Sequence, residues 1–371
     1  MKIKVPAAGS EAQRAGSGEG GFALFLVLWV LTLLAVIVGE FCHAMRTELN
    51  ITRNYVEEVK GYYIGLAGAN MAIAELVRKE IFPEDEQGEG EKKENPLRIN
   101  MDLAPMGFGD GSFVLRIGNE SGKIDLNSAD EDTLRMVFDS QGLDEDQVAV
   151  IVDSILDWKD EDDLHRANGA ENDYYKGLDK PYRCKNADFD SPEELLLVRG
   201  ISKEIYLTGL KDIFTVIPLQ GRAGAGLVPR RMPFGPPGWA GRMRRMAGSK
   251  GVNINAAPRA MLRALPVMTD ELAQGIEEFR KERDFKSPSE VAEVLGPDVY
   301  GSVSPHLNTQ MSPYYTIKSA GMVQGGSVQQ GVEVMVRIDR TIGKGFEIVR
   351  WVDGISEPVS FSRPPEPEGD K

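Results

Sequence analysis

Six carboxylates crowd a short span of this chain: Asp157, Asp160, Asp162, Asp163, Glu171 and Asp173, with Asn168, Asn172 and Asn186 as neutral oxygen donors close by. Carboxylates packed together repel one another unless a cation joins them. Hard oxygen ligands at short spacing suit Ca²⁺, which takes six to eight of them. The spacing is not that of an EF-hand, and by composition alone a solvated acidic loop is the better account of the stretch. Trp158, Tyr174, Tyr175 and Tyr182 are interleaved with the acids and give the segment something to pack with. No catalytic constellation accompanies it. His43, His165 and His306 are scattered, and no Ser-His-Asp order, CxxC or HExxH occurs. His165 beside the acids reads as a surface-loop histidine, since a neutral imidazole suits zinc better than calcium.

The acidic segment, Asp157 to Asp188, is an insertion in the first copy of an internal repeat. Ile124-Asp125-Leu126-Asn127 recurs as Val252-Asn253-Ile254-Asn255, each followed by a leucine-bearing helix (Leu134 in one, Leu262 and Leu265 in the other). A second helix is predicted in each copy, Gln147–Trp158 and Glu271–Arg280. Phe189-Asp190-Ser191-Pro192 is then matched by Phe285-Lys286-Ser287-Pro288, where Ser-Pro reads as a helix start with serine as cap. Asn127 and Asn255 read as cap or turn residues. Two small helical units of the SAM-like or helix-hairpin-helix kind are therefore expected, at 120–219 and 251–310. Between them, 220–250 is rich in Gly, Pro and Arg without an acid and is expected to be a flexible basic loop.

The units must hang from the rest of the chain. Phe22 to Val38, FALFLVLWVLTLLAVIV, has no charge, proline or glycine and is just long enough to cross a hydrocarbon core as a helix. A signal-peptide core is usually shorter and is followed by a small-residue cleavage site, whereas this run continues into Glu40, Phe41, Cys42 and His43. The helix is expected to continue as a stem to residue 82, ended by Pro83, with apolar positions at Tyr55, Val59, Tyr62, Tyr63, Leu66, Ile73, Leu76 and Val77. Gly61, Gly65 and Gly68 mark either a close approach of another backbone or a local weakening. Residues 84–95 read as a charged, solvated loop. Strands are expected at Ser112–Ile117, Tyr314–Ser319, Val328–Arg340 and Gly345–Val352, where Val332, Val334, Val336 and Ile338 alternate like a half-buried antiparallel strand. The fold class is thus α+β: a long N-terminal helix on an antiparallel sheet (83–119 and 311–356), split by a large all-α insertion. A proline-rich tail, 357–371, is expected to be disordered.

The 371 residues carry a formal charge of −14, which argues against a general nucleic-acid role. Cys42 and Cys184 are far apart in sequence and offer no disulfide framework; both read as packing residues.

The polar residues 1–21, with Lys2, Lys4 and Arg14, end in Glu19-Gly20-Gly21 directly before the apolar helix. This resembles the leader of the type IV pilin and pseudopilin superfamily. The resemblance implies removal of 1–21 by a prepilin peptidase between Gly21 and Phe22, and N-methylation of Phe22. The basic leader fits a single pass of the inner membrane with the head in the periplasm. Most pilins carry glutamate at the fifth mature position; this chain has Leu26. With the paired helical units and the Asp-Trp-x-Asp-x-Asp stretch, it is similar to one family, general secretion pathway protein K, the large minor pseudopilin of type II secretion. That resemblance turns the acidic insertion toward calcium, with Lys159 and Glu161 pointing outward. It implies a non-enzymatic assembly protein at a pseudopilus tip, with other minor pseudopilins as partners, and contact with the secretin or secreted substrates as a further expectation. A competing resemblance, to helix-hairpin-helix modules of DNA-uptake or type IV pilus systems, lacks the glycine pair: the turns are Val267-Met268-Thr269 and Gly200-Ile201-Ser202.

Overall fold

The N-terminal run of apolar and helix-favouring residues forms one helix, α1 (Glu19–Ile81). The computed structural model describes residues 19–81, 98–101, 103–218, 251–326 and 329–354. The leader up to residue 18, the charged stretch 84–95, the basic stretch 220–250 and the tail 357–371 lie outside the described residues.

The chain divides into two units, one ending at Glu58 and one beginning at Val59. In the first, Phe22 to Val38 is exposed throughout, and the helix is long and apolar enough to cross a membrane. Its polar exception, Thr32, returns its hydroxyl to the Trp29 carbonyl at 2.8 Å, which removes an unsatisfied donor from an apolar face. Cys42 is exposed on this helix and not packed; the packing expectation holds for Cys184 alone.

In the second unit, the remainder of α1 lies against a five-stranded sheet. The sheet comprises β1 (Met106–Phe108), β2 (Gly111–Asn119), β7 (Tyr314–Val323), β8 (Gln329–Ile338) and β9 (Phe346–Asp353), in the order β1-β2-β7-β8-β9, antiparallel throughout. Alternation places Phe113, Leu115, Ile117, Ile317, Val332, Val334, Val336 and Ile338 on the inner face. The helix meets them with Ile64, Ala69, Ala72, Ile73 and Leu76. The buried stripe of the stem is thus built largely of small residues, and Tyr63, expected on the packed face, is exposed. The glycines explain this. A methyl on Gly65 would stand 3.1 Å from the Gln330 carbonyl oxygen and 3.1 Å from the Gly321 nitrogen. The backbones approach too closely for large side chains between them. The short strand β1, absent from the sequence expectation, is a hairpin partner of β2 across a turn with Gly109 at φ 60°.

Between β2 and β7 the chain leaves the sheet and returns, and Leu115 pairs with Ser319 across that excursion. The excursion holds the repeat. In the first copy β3 (Ile124–Asp125) pairs in parallel with β4 (Phe214–Thr215); in the second β5 (Val252–Asn253) pairs in parallel with β6 (Leu307–Asn308). Each copy therefore closes on its own first residues. Asp125 and Asn253 accept the backbone N–H of Asn127 and Asn255, at 3.0 and 2.9 Å. Asn127 and Asn255 are buried and bond the main chain of Phe189 and Phe285, so they join distant segments and are not local caps. Helices α2 (Glu131–Asp139) and α3 (Glu145–Lys159) follow in the first copy; α3 opens with a capping box between Asp144 and Gln147. The helix Asp270–Glu282 is the counterpart of α3. Ser287 caps the helix Pro288–Leu295 as expected, but Ser191 makes no side-chain cap, and Pro192–Leu197 is a 3₁₀ helix.

Candidate functional site

The acidic insertion starts on the last turn of α3. Asp153 and Asp157 are one turn apart and share a face. Both are buried. Asp153 accepts from the backbone N–H and the side-chain amide of Asn168, at 3.0 and 3.2 Å. Asp157 accepts the Arg166 N–H at 3.0 Å and lies 3.4 Å from its guanidinium. Burial nevertheless pushes the Asp157 carboxyl up, with Asp153 adding to it. A side chain on Gly169 would collide with Asp157, so the loop passes directly over this carboxylate.

Asp160, at the end of α3, is pushed up to about 6 by burial and by Asp162 and Asp157. Its Oδ1 is buried without a hydrogen-bond partner. Glu171 is 4 % exposed, and its carboxylate has no partner other than the weakly donating Cys184 thiol. Burial, then Asp157, Asp160 and Asp163, push it up to about 7, against the pull of Cys184. Asp163 behaves oppositely: the amides of Asn172 and Asn186 donate to it at 2.6 and 3.0 Å and hold it below its ordinary value. The Oδ1 of Asn186 is a further buried oxygen without a partner.

A packed aromatic group supports these acids. Trp158 lies 5.2 Å from Tyr175 edge-on, and Tyr182 and Phe189 complete the cluster. Tyr175 and Trp158 are fully or almost fully buried, so the loop has its own core.

Of the six predicted carboxylates, Asp157, Asp160 and Asp163 are brought within electrostatic reach of Glu171, and Asp157 within reach of Asp160. Asp162 reaches Asp160 but spends its Oδ1 on the Leu164 N–H at 2.9 Å. Asp173 is exposed on the short helix α4 (Asn172–Lys176). Asp153 was missed by sequence reasoning; its position one turn before Asp157 was the available signal. Lys159 corrects an expectation: it does not point outward. It is 3 % exposed, and its ammonium donates to the carbonyls of Leu126 at 3.1 Å and Ala129 at 2.6 Å, tying α3 to the turn after β3. Glu161 is exposed. His165 is exposed, with Nδ1 2.9 Å from the Arg166 carbonyl oxygen. Among the described residues, no three His, Cys, Asp or Glu side chains stand close enough to clasp a metal ion in this arrangement. Phe22 and Leu26 are exposed on α1, which passes through Gly21 without a break.

A long apolar helix whose later turns pack on an antiparallel sheet, with a helical excursion between two adjacent strands, defines a pilin-like α+β protein. Residues 114–219 match the family model described as Type II secretion system (T2SS), protein K. The type II secretion system protein K of Aeromonas hydrophila is 24% identical over 213 residues, covering 51% of this chain and 61% of that protein. The protein of the same description from Pectobacterium carotovorum subsp. carotovorum is 26% identical over 210 residues, with the same coverage. This chain thus spans about three fifths of the length of these relatives. In fold it is similar to a chain of the GspK-GspI-GspJ complex from the enterotoxigenic Escherichia coli type 2 secretion system, with a TM-score of 0.50 and 12% identity over 84% of this chain and 100% of that one. By these matches the chain is similar to type II secretion system protein K.

Proposed function

We propose that this chain is a minor pseudopilin of type II secretion that starts or caps the pseudopilus, a structural protein and not an enzyme. The observation that carries the reading is the family match over residues 114–219, which contains the acidic insertion and lies in the excursion between β2 and β7. The apolar run Phe22 to Val38 anchors the protein in the inner membrane after the prepilin peptidase removes residues 1–21, and the head faces the periplasm. The chain of similar fold comes from a GspK-GspI-GspJ complex; by analogy, smaller minor pseudopilins are the partners here. Leu26 supports a terminal place. A subunit without a carboxylate inside the lipid needs no neighbour to neutralise it. The two copies of the repeat are read as SAM-like units.

Calcium at the acidic insertion belongs to the same reading. Its donor set is all oxygen; Asp160 holds a buried oxygen that no hydrogen-bond donor meets, and the buried Glu171 carboxylate has only the Cys184 thiol beside it. A divalent cation supplies what these carboxylates lack. Binding requires the loop to draw Asp157, Asp160, Asp163 and Glu171 closer than they stand here.

Deleting the gene from its host and restoring it tests the function. Export of type II substrates should stop and return with the wild-type chain, and antibody to the head should label pseudopili at their tips only. Normal export without the protein, or labelling along the shaft, would refute the reading.

A further inference from the structure

The face of the sheet turned away from α1 is polar. Arg116 on β2 stands beside Lys318 on β7, and Lys318 beside Glu333 on β8, in one row across three strands. A cleft of about 520 Å³ separates this face from the two helical units, a volume suited to a small molecule. Seven Lys and Arg side chains and four carboxylates line it. That is a local excess of cations in a chain with a formal charge of −14, and most of the carboxylates are engaged. Glu333 accepts from Arg350 at 2.6 Å and lies 3.4 Å from Lys318; Glu277 accepts from Arg259 at 3.0 Å.

Arg280 forms part of the opposite wall and differs from the other cations. It is 5 % exposed. Its Nη1 donates to the Ala257 carbonyl at 2.7 Å, while Nε and Nη2 are buried with no acceptor among the described residues. Burial pulls the guanidinium down to about 10, and the more distant charges of Glu277 and Asp284 do not offset this. A guanidinium withdrawn from water with donors unmet is costly. The Nε–Nη2 edge carries two parallel N–H groups, the fork that a carboxylate or phosphate fills with two oxygens; both atoms are covered in this structure, so an anion reaches them when the side chain turns toward the cleft.

We propose that this cleft binds a small oxyanion, a carboxylate or a phosphate, seated on the Nε–Nη2 edge of Arg280, with Arg116 and Lys318 supplying positive potential from the sheet. The site is separate from the acidic insertion and does not depend on the secretion reading.

Calorimetric titration of the full chain in detergent with inorganic phosphate, and separately with citrate, tests the proposal and distinguishes the two chemistries. One equivalent of at least one anion should bind with Kd below about 1 mM in ordinary salt, and Arg280→Gln should weaken it by about tenfold or more. Arg280 also bonds the Ala257 carbonyl, so Lys318→Gln, on the sheet surface, serves as a second variant and should weaken binding severalfold with the melting temperature retained. Failure of both anions to bind at about 10 mM, or binding equally tight in wild type and in every folded variant, would overturn the proposal.

Discussion

Gly68 lies against the ring of Phe113 with no room for a methyl group: a Cβ there would stand 2.6 Å from the ring. Helix and sheet meet at backbone distance, and Ser319 confirms it by donating its hydroxyl to the Gly65 carbonyl at 2.6 Å. Gly68→Val must therefore push α1 off β2. We expect a loss of about 1–3 kcal/mol in urea denaturation. Gly301 is the control, because it sits in the helix Pro297–Val303 with nothing within 4 Å of where an added methyl would stand, and Gly301→Ala should stabilise by about 0.5–1 kcal/mol. Equal effects from the two would mean that helix propensity, not contact, governs the stem.

Asn255 and Phe285 exchange two hydrogen bonds, from the Asn255 amide to the Phe285 carbonyl at 2.9 Å and from the Phe285 N–H back to the Asn255 side-chain oxygen at 2.8 Å. Asn127 and Phe189 repeat the pair at 3.0 and 2.7 Å. Asn127→Ala and Asn255→Ala each leave a buried N–H and carbonyl without partners, at a cost of about 1–3 kcal/mol. The two losses should be similar in thermal or urea unfolding. A loss at only one site would show that the copies do not share this role.

Much of this was legible in the sequence because it depends on local pattern. The period-2 valines of β8 and the apolar run from Phe22 are read directly, and the repeat was visible as Ile-Asp-Leu-Asn answered by Val-Asn-Ile-Asn and as Phe-x-Ser-Pro in both copies. What was not legible depends on contacts distant in sequence. Asn127 does sit in a turn, but its partner Phe189 lies far along the chain and is not visible from the local sequence. Lys159 looks like a surface lysine until the carbonyls of Leu126 and Ala129 close over it. Strand β1 has three residues and owes its existence to the neighbouring β2. At the acidic insertion, the sequence shows which residues are acidic but not which are buried, and burial separates Glu171 from Asp173.

Glu120 follows β2 at 1 % exposure. Burial alone would raise its carboxyl, but Lys123 at 2.8 Å and the Thr316 hydroxyl at 2.7 Å outweigh it and hold the carboxyl below its ordinary value. A carboxyl depressed in the folded state contributes stability that is fully present above its unfolded value of about 4.5 and is lost as pH falls through the folded value. Glu120→Gln should therefore be less stable than wild type by about 1–3 kcal/mol at pH 7 and pH 5. The gap should narrow below about pH 4.5. A gap that stays constant to about pH 3 would show that Glu120 does not titrate with folding.

Processing should follow the junction of polar leader and apolar helix. The mature protein from its host should begin at Phe22 by mass spectrometry, and Gly21→Glu should leave the leader attached. A mature terminus at any other residue would contradict a prepilin-type leader.

Calcium is the last prediction and the one with most at stake for the head. Without a cation, Glu171 and Asp160 keep carboxylates in a site where burial and their neighbours both disfavour charge. A cation that binds only the folded state stabilises it by about 2.7 kcal/mol at a hundredfold excess over Kd. For a unit of this size that corresponds to a rise of roughly 5–10 °C in melting temperature. The full chain in detergent should show this rise in millimolar calcium relative to chelator. Magnesium should substitute poorly, because it demands a tighter octahedral shell and holds its own waters. Asp160→Asn combined with Glu171→Gln separates the ion from the fold. Both changes remove buried negative charge at nearly constant shape, so the variant in chelator should melt no lower than wild type in chelator. Its response to calcium should vanish. If wild type melts identically with calcium and with chelator, and calorimetry shows no binding, the acidic insertion is held by its aromatic core alone and the metal assignment is wrong.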